Sequence, residues 1–194
     1  MSGSLPPDPV RAAGPPLVTA GRPGARRLIV LDPAGSAKHD GLPATWRPLA
    51  DRHEILWYRL PAAGAWAACV EALAAPAGRL HRGDLVVSGP FAGEALRMAA
   101  RFPGTLRSVL LVDPAAEGTI SPGDAQSADE TWFVRHGNEI AVLRELGIDV
   151  EMIAHSTDEA DDQLPPPLPL GHGRVVEALR RTLDSLPGVG HAEF

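Results

Sequence analysis

The stretch that decides the fold is "DLVVSGPFAGEALRMAARFPGTLRSVLLVDPAA", residues 84–116. It opens with "DLVVSG", a short apolar run that is typical of a strand buried on both faces. A helix is predicted at 93–101, with Leu96, Ala99 and Ala100 on one face, and "LRSVLLVDP" is the next strand. A strand, a sharp turn, a helix and a second strand in this order predict a right-handed crossover between parallel strands.

The same alternation extends in both directions. Upstream, "LIVL" and "HEILWYRLP" predict strands, with helices at 44–52 and 63–75. Downstream, "TWFVRHG" and "DVEMIAHS" predict a fifth and a sixth strand around a helix at 139–146, and "GHGRVVEALRRTLDSL" predicts an amphipathic last helix. We therefore expect an α/β fold: a single domain with a mostly parallel six-stranded sheet and helices on both faces.

Composition sets the domain boundaries. The 194 residues suit one domain with a sizeable core. Residues 1–25 are rich in Pro, Gly and Ala without strand or helix periodicity, so we interpret them as a flexible leader. The α/β domain then spans 26–187, and 188–194 form a tail.

Charge and the absence of certain motifs exclude several functions. A net charge of −6 argues against a nucleic acid or an anionic membrane as the main partner. No signal peptide and no apolar run of about 20 residues is present, which favours a cytoplasmic protein. Cys69 is the only cysteine, and His39 with Asp40 lacks further ligands, so no metal site is predicted. No glycine fingerprint for a nucleotide occurs, and no cofactor is expected.

Three segments resemble the α/β-hydrolase superfamily, most closely its compact thioesterase-like and lipase-like members. They are the loop and strand of 31–61, the phrase "RFPGTLRSVLLVDPA", and "PLGHGRVVEALRRTL", where Gly-His precedes the last helix. The similarity covers residues 26 to 186. It implies an α/β-hydrolase-like domain, and the short connection between the fourth and fifth predicted strands leaves no room for a lid domain.

The resemblance fails at the catalytic serine. In that family the nucleophile lies in G-x-S-x-G at the turn from strand to helix, and this motif is absent. Alignment without gaps places Gly89 at the nucleophile position, and alignment on Ala92-Gly93 places Pro90 there. Ser88 is the nearest hydroxyl, but Val86 and Pro90 stand where small residues are needed.

The remaining triad positions have candidates of their own. The resemblance implies an acid after the strand assigned to "TWFVRHG", where Glu139 is the candidate and Asn138 a weaker one. Glu139 equally suits the first turn of a helix, where negative charge is favourable. His172 matches the family's base, with His155 as a second possibility. A surviving oxyanion hole would use the loop around Ala34 and Gly35.

Ligands of parallel sheets bind at the carboxyl ends of the strands. For this reason Phe91, His136 and His155 join Ala34 and Gly35 as candidate binding residues. The segment "LPPPLPL", 164–170, is interpreted as a stiff spacer that covers one side of the site, although a polyproline segment that attracts a binding domain is an alternative.

Two functions follow. The favoured hypothesis is an α/β-hydrolase-like protein without a nucleophile, which binds a small acyl-type ligand or a partner such as a larger biosynthetic protein. The alternative is an active ester or thioester hydrolase, in which Ser88 attacks or His172 or Glu139 activates water. The sequence indicates no oligomeric state.

Overall fold

The computed structural model describes residues 13–37, 41–75, 82–116, 121–158 and 164–186, which form one α/β unit. The strands are β1 (Leu17–Gly21), β2 (Arg26–Asp32), β3 (His53–Arg59), β4 (Gly83–Ser88), β5 (Leu106–Val112) and β6 (Asp149–Ala154). The helices are α1 (Arg47–Ala50), α2 (Ala65–Ala74), α3 (Ala92–Arg101), α4 (Ala125–Arg135), α5 (Gly137–Glu145) and α6 (Gly173–Ser185). Short 3₁₀ turns precede α1, α3 and α4 at Ala44–Trp46, Gly89–Phe91 and Pro122–Asp124.

All six strands belong to one sheet in the order β1-β3-β2-β4-β5-β6. β1 runs antiparallel to β3, and every other pairing is parallel. The predicted six-stranded, mostly parallel sheet is thereby confirmed. Its parallel strands all end at one edge, which is where the segments 32–37, 88–91, 113–116 and 155–158 lie.

Hydrophobic side chains alternate between two cores because successive residues of a strand point to opposite faces. On β2, Ile29 and Leu31 pack with α2, α3, α4 and α5, whereas Leu28 and Val30 pack with α1 and α6. The two cores confirm the prediction of helices on both faces. In the second core the rings of Trp46 and Trp57 meet edge to face, with centroids 4.8 Å apart.

A buried ion pair joins the starts of β4 and β5. The guanidinium of Arg107 donates to both oxygens of Asp84, each at 2.8 Å, and the Ser108 hydroxyl donates to the same carboxylate at 2.7 Å. Asp84 is fully buried and Arg107 is 5% exposed. The pair therefore holds the two strands together at the edge of the sheet remote from the loops named above.

One predicted strand is wrong. Residues 131–137, "TWFVRHG", form the end of α4 and the start of α5. Trp132 is buried three residues after the buried Asp129, which is helical spacing. Glu130, Thr131 and Val134 are exposed, Val134 to 82%. The aromatic and β-branched residues of the stretch suggested a strand, but the packing of Trp132 into the first core selects the helix.

The sixth strand lies instead within the stretch interpreted as a flexible leader. Residues 17–21 form β1, which pairs with the outer edge of β3 from Leu17 opposite Tyr58 to Gly21 opposite Glu54. The domain therefore begins before residue 26, because the edge of β3 offers backbone partners that composition does not reveal. Residues 1–12 and the tail at 188–194 lie outside the described residues.

The side chain of Arg59 ties this first segment to the sheet. It is fully buried and donates to the carbonyl oxygens of Ala13 and Pro15, at 2.6 and 3.0 Å. Its Nε donates to the carbonyl of Gly35 at 3.4 Å. The end of β3 therefore anchors both the chain before β1 and the loop after β2.

Candidate functional site

A cavity of about 520 Å³ opens at the carboxyl edge of the sheet. One wall is the proline-rich strap, defined as residues 164–169, and the other residues around it come from the ends of β2, β4 and β5. These are Pro33, Ala34, Ser88, Pro90 and Ala116. The lining includes no charged side chain, so the cavity suits an uncharged, largely apolar group. The spacer predicted for "LPPPLPL" does cover one side of this site.

The turn from β4 to α3 has a left-handed residue at its centre. Ser88 is extended, Gly89 has φ +61°, and the chain then enters the 3₁₀ turn Gly89–Phe91. A Cβ atom at position 89 would lie 2.9 Å from Cγ of Pro167 and 3.3 Å from its Cβ. Pro167 therefore packs directly on Gly89, and the strap leaves no space there for a side chain.

Ser88 contributes the polar group of the cavity. The residue is 2% exposed and lines the cavity. Within the described part of the chain its hydroxyl has no hydrogen-bond partner, and no histidine lines the same cavity. The hydroxyl is therefore placed to bond a ligand, without an imidazole to remove its proton.

Two backbone amides of the loop after β2 are engaged, one amide is missing at the elbow, and Gly35 does not line the cavity. Ala34 donates its N–H to Asp32 at 2.9 Å, and Ser36 donates to the other oxygen of the same carboxylate. The indole N–H of Trp57 also donates to Asp32, at 2.9 Å. At the elbow, the residue after Gly89 is Pro90, which has no N–H. Neither loop presents a free donor from these positions to the cavity.

His172, predicted as the base, is the N-cap of α6. Its Nδ1 accepts the backbone N–H of Arg174 at 3.3 Å, and the backbone N–H of His172 donates to the carbonyl of Pro169 at 2.8 Å. His155 lies elsewhere, in a second cavity of about 380 Å³ between the end of β6 and α6 that also includes Arg174 and Arg181. Neither imidazole lines the cavity that contains Ser88.

The other predicted residues lie on elements that pack on the first core. His136 stacks on Trp132 with ring centroids 3.9 Å apart, and its Nδ1 donates to the Trp132 carbonyl at 2.9 Å. Its Nε2 lies 3.9 Å from the carboxylate of Glu139, which is in the first turn of α5 and half exposed. Phe91 packs against Trp66, with ring centroids 6.3 Å apart. None of them lines the large cavity.

Because "TWFVRHG" is helical, Glu139 and Asn138 do not follow a strand. The preceding strand, on which the sequence analysis based its choice of an acid, is therefore wrong. The residues after β6 contact α6 instead, where Thr157 accepts a hydrogen bond from Arg174 at 2.8 Å.

The sequence analysis did not identify two buried aspartates beside the cavity. Asp113 follows β5, and Asp129 lies on α4; each is 1% exposed. Burial, together with the neighbouring charge of Asp113, raises the pKa of the Asp129 carboxyl to about 7, although the N–H of Ala115 opposes the shift. The only signal in the sequence is the position of Asp113 at the end of an apolar strand.

Further observations concern metal ligands, the single thiol and membrane-spanning helices. Among the described residues, no three histidine, cysteine, aspartate or glutamate side chains come together as metal ligands. Cys69 is buried in the first core, and burial raises the pKa of its thiol to about 12. His39 and Asp40 lie outside the residues that the structure describes. No helix in the described ranges is long and apolar enough to cross a bilayer.

The structure is an α/β fold with a cavity at the carboxyl edge of its sheet, and solved structures of similar fold include hydrolases. It is similar to the carboxylesterase CesB (YbfK) from Bacillus subtilis, with 11% identity over 90% of this chain and 88% of that one and a TM-score of 0.43. For E-2-(acetamidomethylene)succinate hydrolase the values are 15% identity, 84% and 68% coverage, and a TM-score of 0.31. No protein-family model and no curated protein matches the chain. The likeness concerns the fold alone and carries no argument about activity.

Proposed function

We propose that this chain is a non-catalytic, α/β-hydrolase-like protein that binds a small acyl-type ligand in the 520 Å³ cavity. The observation that carries the proposal is the contact of Pro167 with Gly89 at the elbow. A nucleophile at that position needs a side chain, and the strap occupies the space that such a side chain would fill.

The surrounding groups support the same conclusion. Acyl transfer needs a base within hydrogen-bond reach of the nucleophile and donors aimed at the oxyanion. Here His172 caps α6, and the N–H of Ala34 is bonded to Asp32. A general base alone typically contributes about 10²–10⁴-fold, so water activation by His172 or Glu139 would give slow turnover at best.

The lining supports an apolar ligand with one polar atom. Prolines, leucines and alanines form most of the wall, and the Ser88 hydroxyl is the polar side-chain group among them. Such a site favours a hydrocarbon chain or ring whose carbonyl or hydroxyl bonds Ser88.

Binding is tested with the neutral fluorescent probe N-phenyl-1-naphthylamine, whose emission rises in an apolar site. Ala116→Phe fills the cavity, whereas Ala178→Phe fills the second cavity; the two alanines are 8% and 7% exposed. We expect the wild type and Ala178→Phe to bind the probe and Ala116→Phe to lose at least tenfold in affinity. Equal affinity of the two variants would refute the site.

Catalysis is tested on the same preparations. A fluorophosphonate probe should label no residue, and short p-nitrophenyl esters or acyl thioesters should show no turnover that His172→Ala abolishes. The unbonded hydroxyl of Ser88 favours an active hydrolase as the second candidate function. Covalent labelling of Ser88, lost in Ser88→Ala, would establish that candidate in place of the proposal.

A further inference from the structure

The proposed function leaves two buried carboxyl groups near the cavity unused: Asp113, which follows β5, and Asp129, which lies on α4. The turn 113–116 connects them, because it begins at Asp113 and its Ala115 bonds Asp129. Ala116, the last residue of this turn, lines the cavity. Within that turn the N–H of Ala116 donates to the carbonyl of Asp113 at 3.0 Å. A change in this turn is therefore transmitted to the cavity wall.

Asp113 fastens the strap to the sheet. Its carboxylate accepts the backbone N–H of Leu168, which belongs to the strap. It also accepts the N–H and the hydroxyl of Ser156, at 2.7 and 2.8 Å. The residue has φ +42°, a conformation that a non-glycine residue keeps only when its surroundings fix it. The strap and the segment after β6 are thus held by one carboxylate in an enforced conformation.

Asp129 is the second member of the pair. Its Oδ1 accepts the N–H of Ala115 at 2.9 Å, and its Oδ2 is buried without a partner among the described residues. A buried carboxylate oxygen without a donor is unfavourable when charged, whereas the protonated acid is tolerated. With its pKa raised to about 7, the carboxyl is mostly neutral below that pH when the turn is packed as observed.

Few other groups bear on this carboxyl. Asp113 supplies the neighbouring charge, Ala115 the backbone donor, and burial the largest effect on the Asp129 pKa. The remaining titratable side chains of α4, of α5 and around the turn before α4 are exposed or bonded elsewhere: Asp124, Glu130, Arg135, His136, Glu139, Arg144, Glu145 and Asp158. No cation among them is placed to neutralise a charge on Asp129.

We propose that Asp113 and Asp129 form a proton-dependent latch on the strap. The latch is closed while Asp129 carries a proton, because Asp113 is then the only charged member of this pair of carboxyls. Ionisation of Asp129 adds a second negative charge beside it. Opening of the turn relieves the repulsion and hydrates the carboxyl, and it releases the N–H of Leu168.

The sign of the pH dependence follows from linkage. The pKa of Asp129 is raised to about 7 in the closed state, whereas an open, hydrated aspartate titrates near its ordinary value of about 3.9. The closed state therefore retains a proton that the open state has lost between these two values. Opening becomes more favourable as pH rises through this window and levels off above about pH 7.

The latch also links the proton to the cavity. If the proposed function holds, a ligand that packs against the strap favours the closed state and therefore raises the pKa of Asp129. The following test does not depend on that ligand, so it can fail or succeed separately from the proposed function.

Hydrogen exchange of the Leu168 amide, followed by NMR and corrected for the intrinsic exchange rate, measures opening of the latch. In the wild type we expect its protection to fall by up to about tenfold per pH unit between about pH 5 and 7, then to remain constant. Asp129→Asn keeps an acceptor for Ala115 and cannot ionise, so its Leu168 protection should be independent of pH. The amide of Ala34, bonded to Asp32, reports on the same cavity outside the latch and should not follow this profile.

Each result decides the question. Constant Leu168 protection in the wild type, or the same fall in Asp129→Asn, overturns the latch. If Asp129→Asn does not fold, the carboxyl carbon of Asp129 in the wild type is titrated by NMR. A midpoint that coincides with the end of the fall in Leu168 protection supports the latch, and a midpoint near 3.9 refutes it.

Discussion

Gly89 shows how a single position can retain a backbone conformation while its surroundings exclude a side chain. Its φ of +61° is the left-handed geometry that glycine adopts without strain. Pro167 then packs against the hydrogen that takes the place of a side chain. Two separate penalties therefore oppose any substitution at this residue, one from the backbone and one from the strap.

A matched pair of alanine substitutions separates the two penalties. Gly64 also has positive φ, +81°, but a Cβ there meets nothing within 4 Å. Gly64→Ala should lower the free energy of unfolding by about 1–2 kcal/mol from backbone strain alone. Gly89→Ala should lose about 1–3 kcal/mol more, because Pro167 must shift. Urea unfolding measures both, and equal losses would show that the strap does not press on the elbow.

The site residues were predicted unevenly because their roles depend on distant partners. The sequence analysis named Ser88, Ala34 and the "LPPPLPL" segment, which line the cavity, because turns and proline runs are local features. The bond from Leu168 to Asp113 spans 55 positions, and the one from Ser156 spans 43. A local sequence pattern cannot predict that one carboxylate accepts hydrogen bonds from residues so far away in the chain.

At the scale of the element, apolar runs predicted β2, β4 and β5 because these central strands are buried on both faces. The last helix was also predicted correctly: Val175, Val176, Leu179 and Leu183 are all buried. The error at α4 has a physical cause. Its inward face carries Asp129, so the helical spacing from Ala125 through Asp129 to Trp132 contains a polar residue and escapes an apolar pattern.

The ion pair between β4 and β5 gives a prediction at this scale. Asp84→Ala leaves the guanidinium of Arg107 in the interior without its carboxylate, and it should cost about 3–5 kcal/mol in thermal or denaturant unfolding. Glu177→Ala removes the exposed pair with Arg180 on α6, where the N–O distance is 3.5 Å, and should cost at most about 0.5 kcal/mol. Comparable losses for the two variants would mean that burial does not set the contribution of this pair.

At the scale of the whole molecule, β1 completes one edge of the sheet. It pairs with the outer edge of β3 from Glu54 to Tyr58. The residues just before β1 supply the two carbonyl oxygens to which Arg59 donates. Without this segment β3 becomes an exposed edge, which is prone to pairing between molecules, and the buried charge of Arg59 loses two acceptors.

Deletion of residues 1–21 should therefore lower the midpoint of thermal unfolding and promote aggregation, measured by circular dichroism and light scattering. Deletion of residues 1–12 keeps β1 together with Ala13 and Pro15, and we expect it to behave as the full chain. If both truncated chains unfold at the same temperature, then β1 contributes nothing to the stability of the domain.

The pairing of β1 also dictates an order of assembly. Its partner is β3 rather than β2, its successor in the chain, and the bond from Arg59 to Ala13 closes a loop of 46 positions. During synthesis, β1 can pair only after the whole of β3 has left the ribosome. Its docking therefore waits for two later strands, β2 and β3, although neither β4, β5 nor β6 is needed.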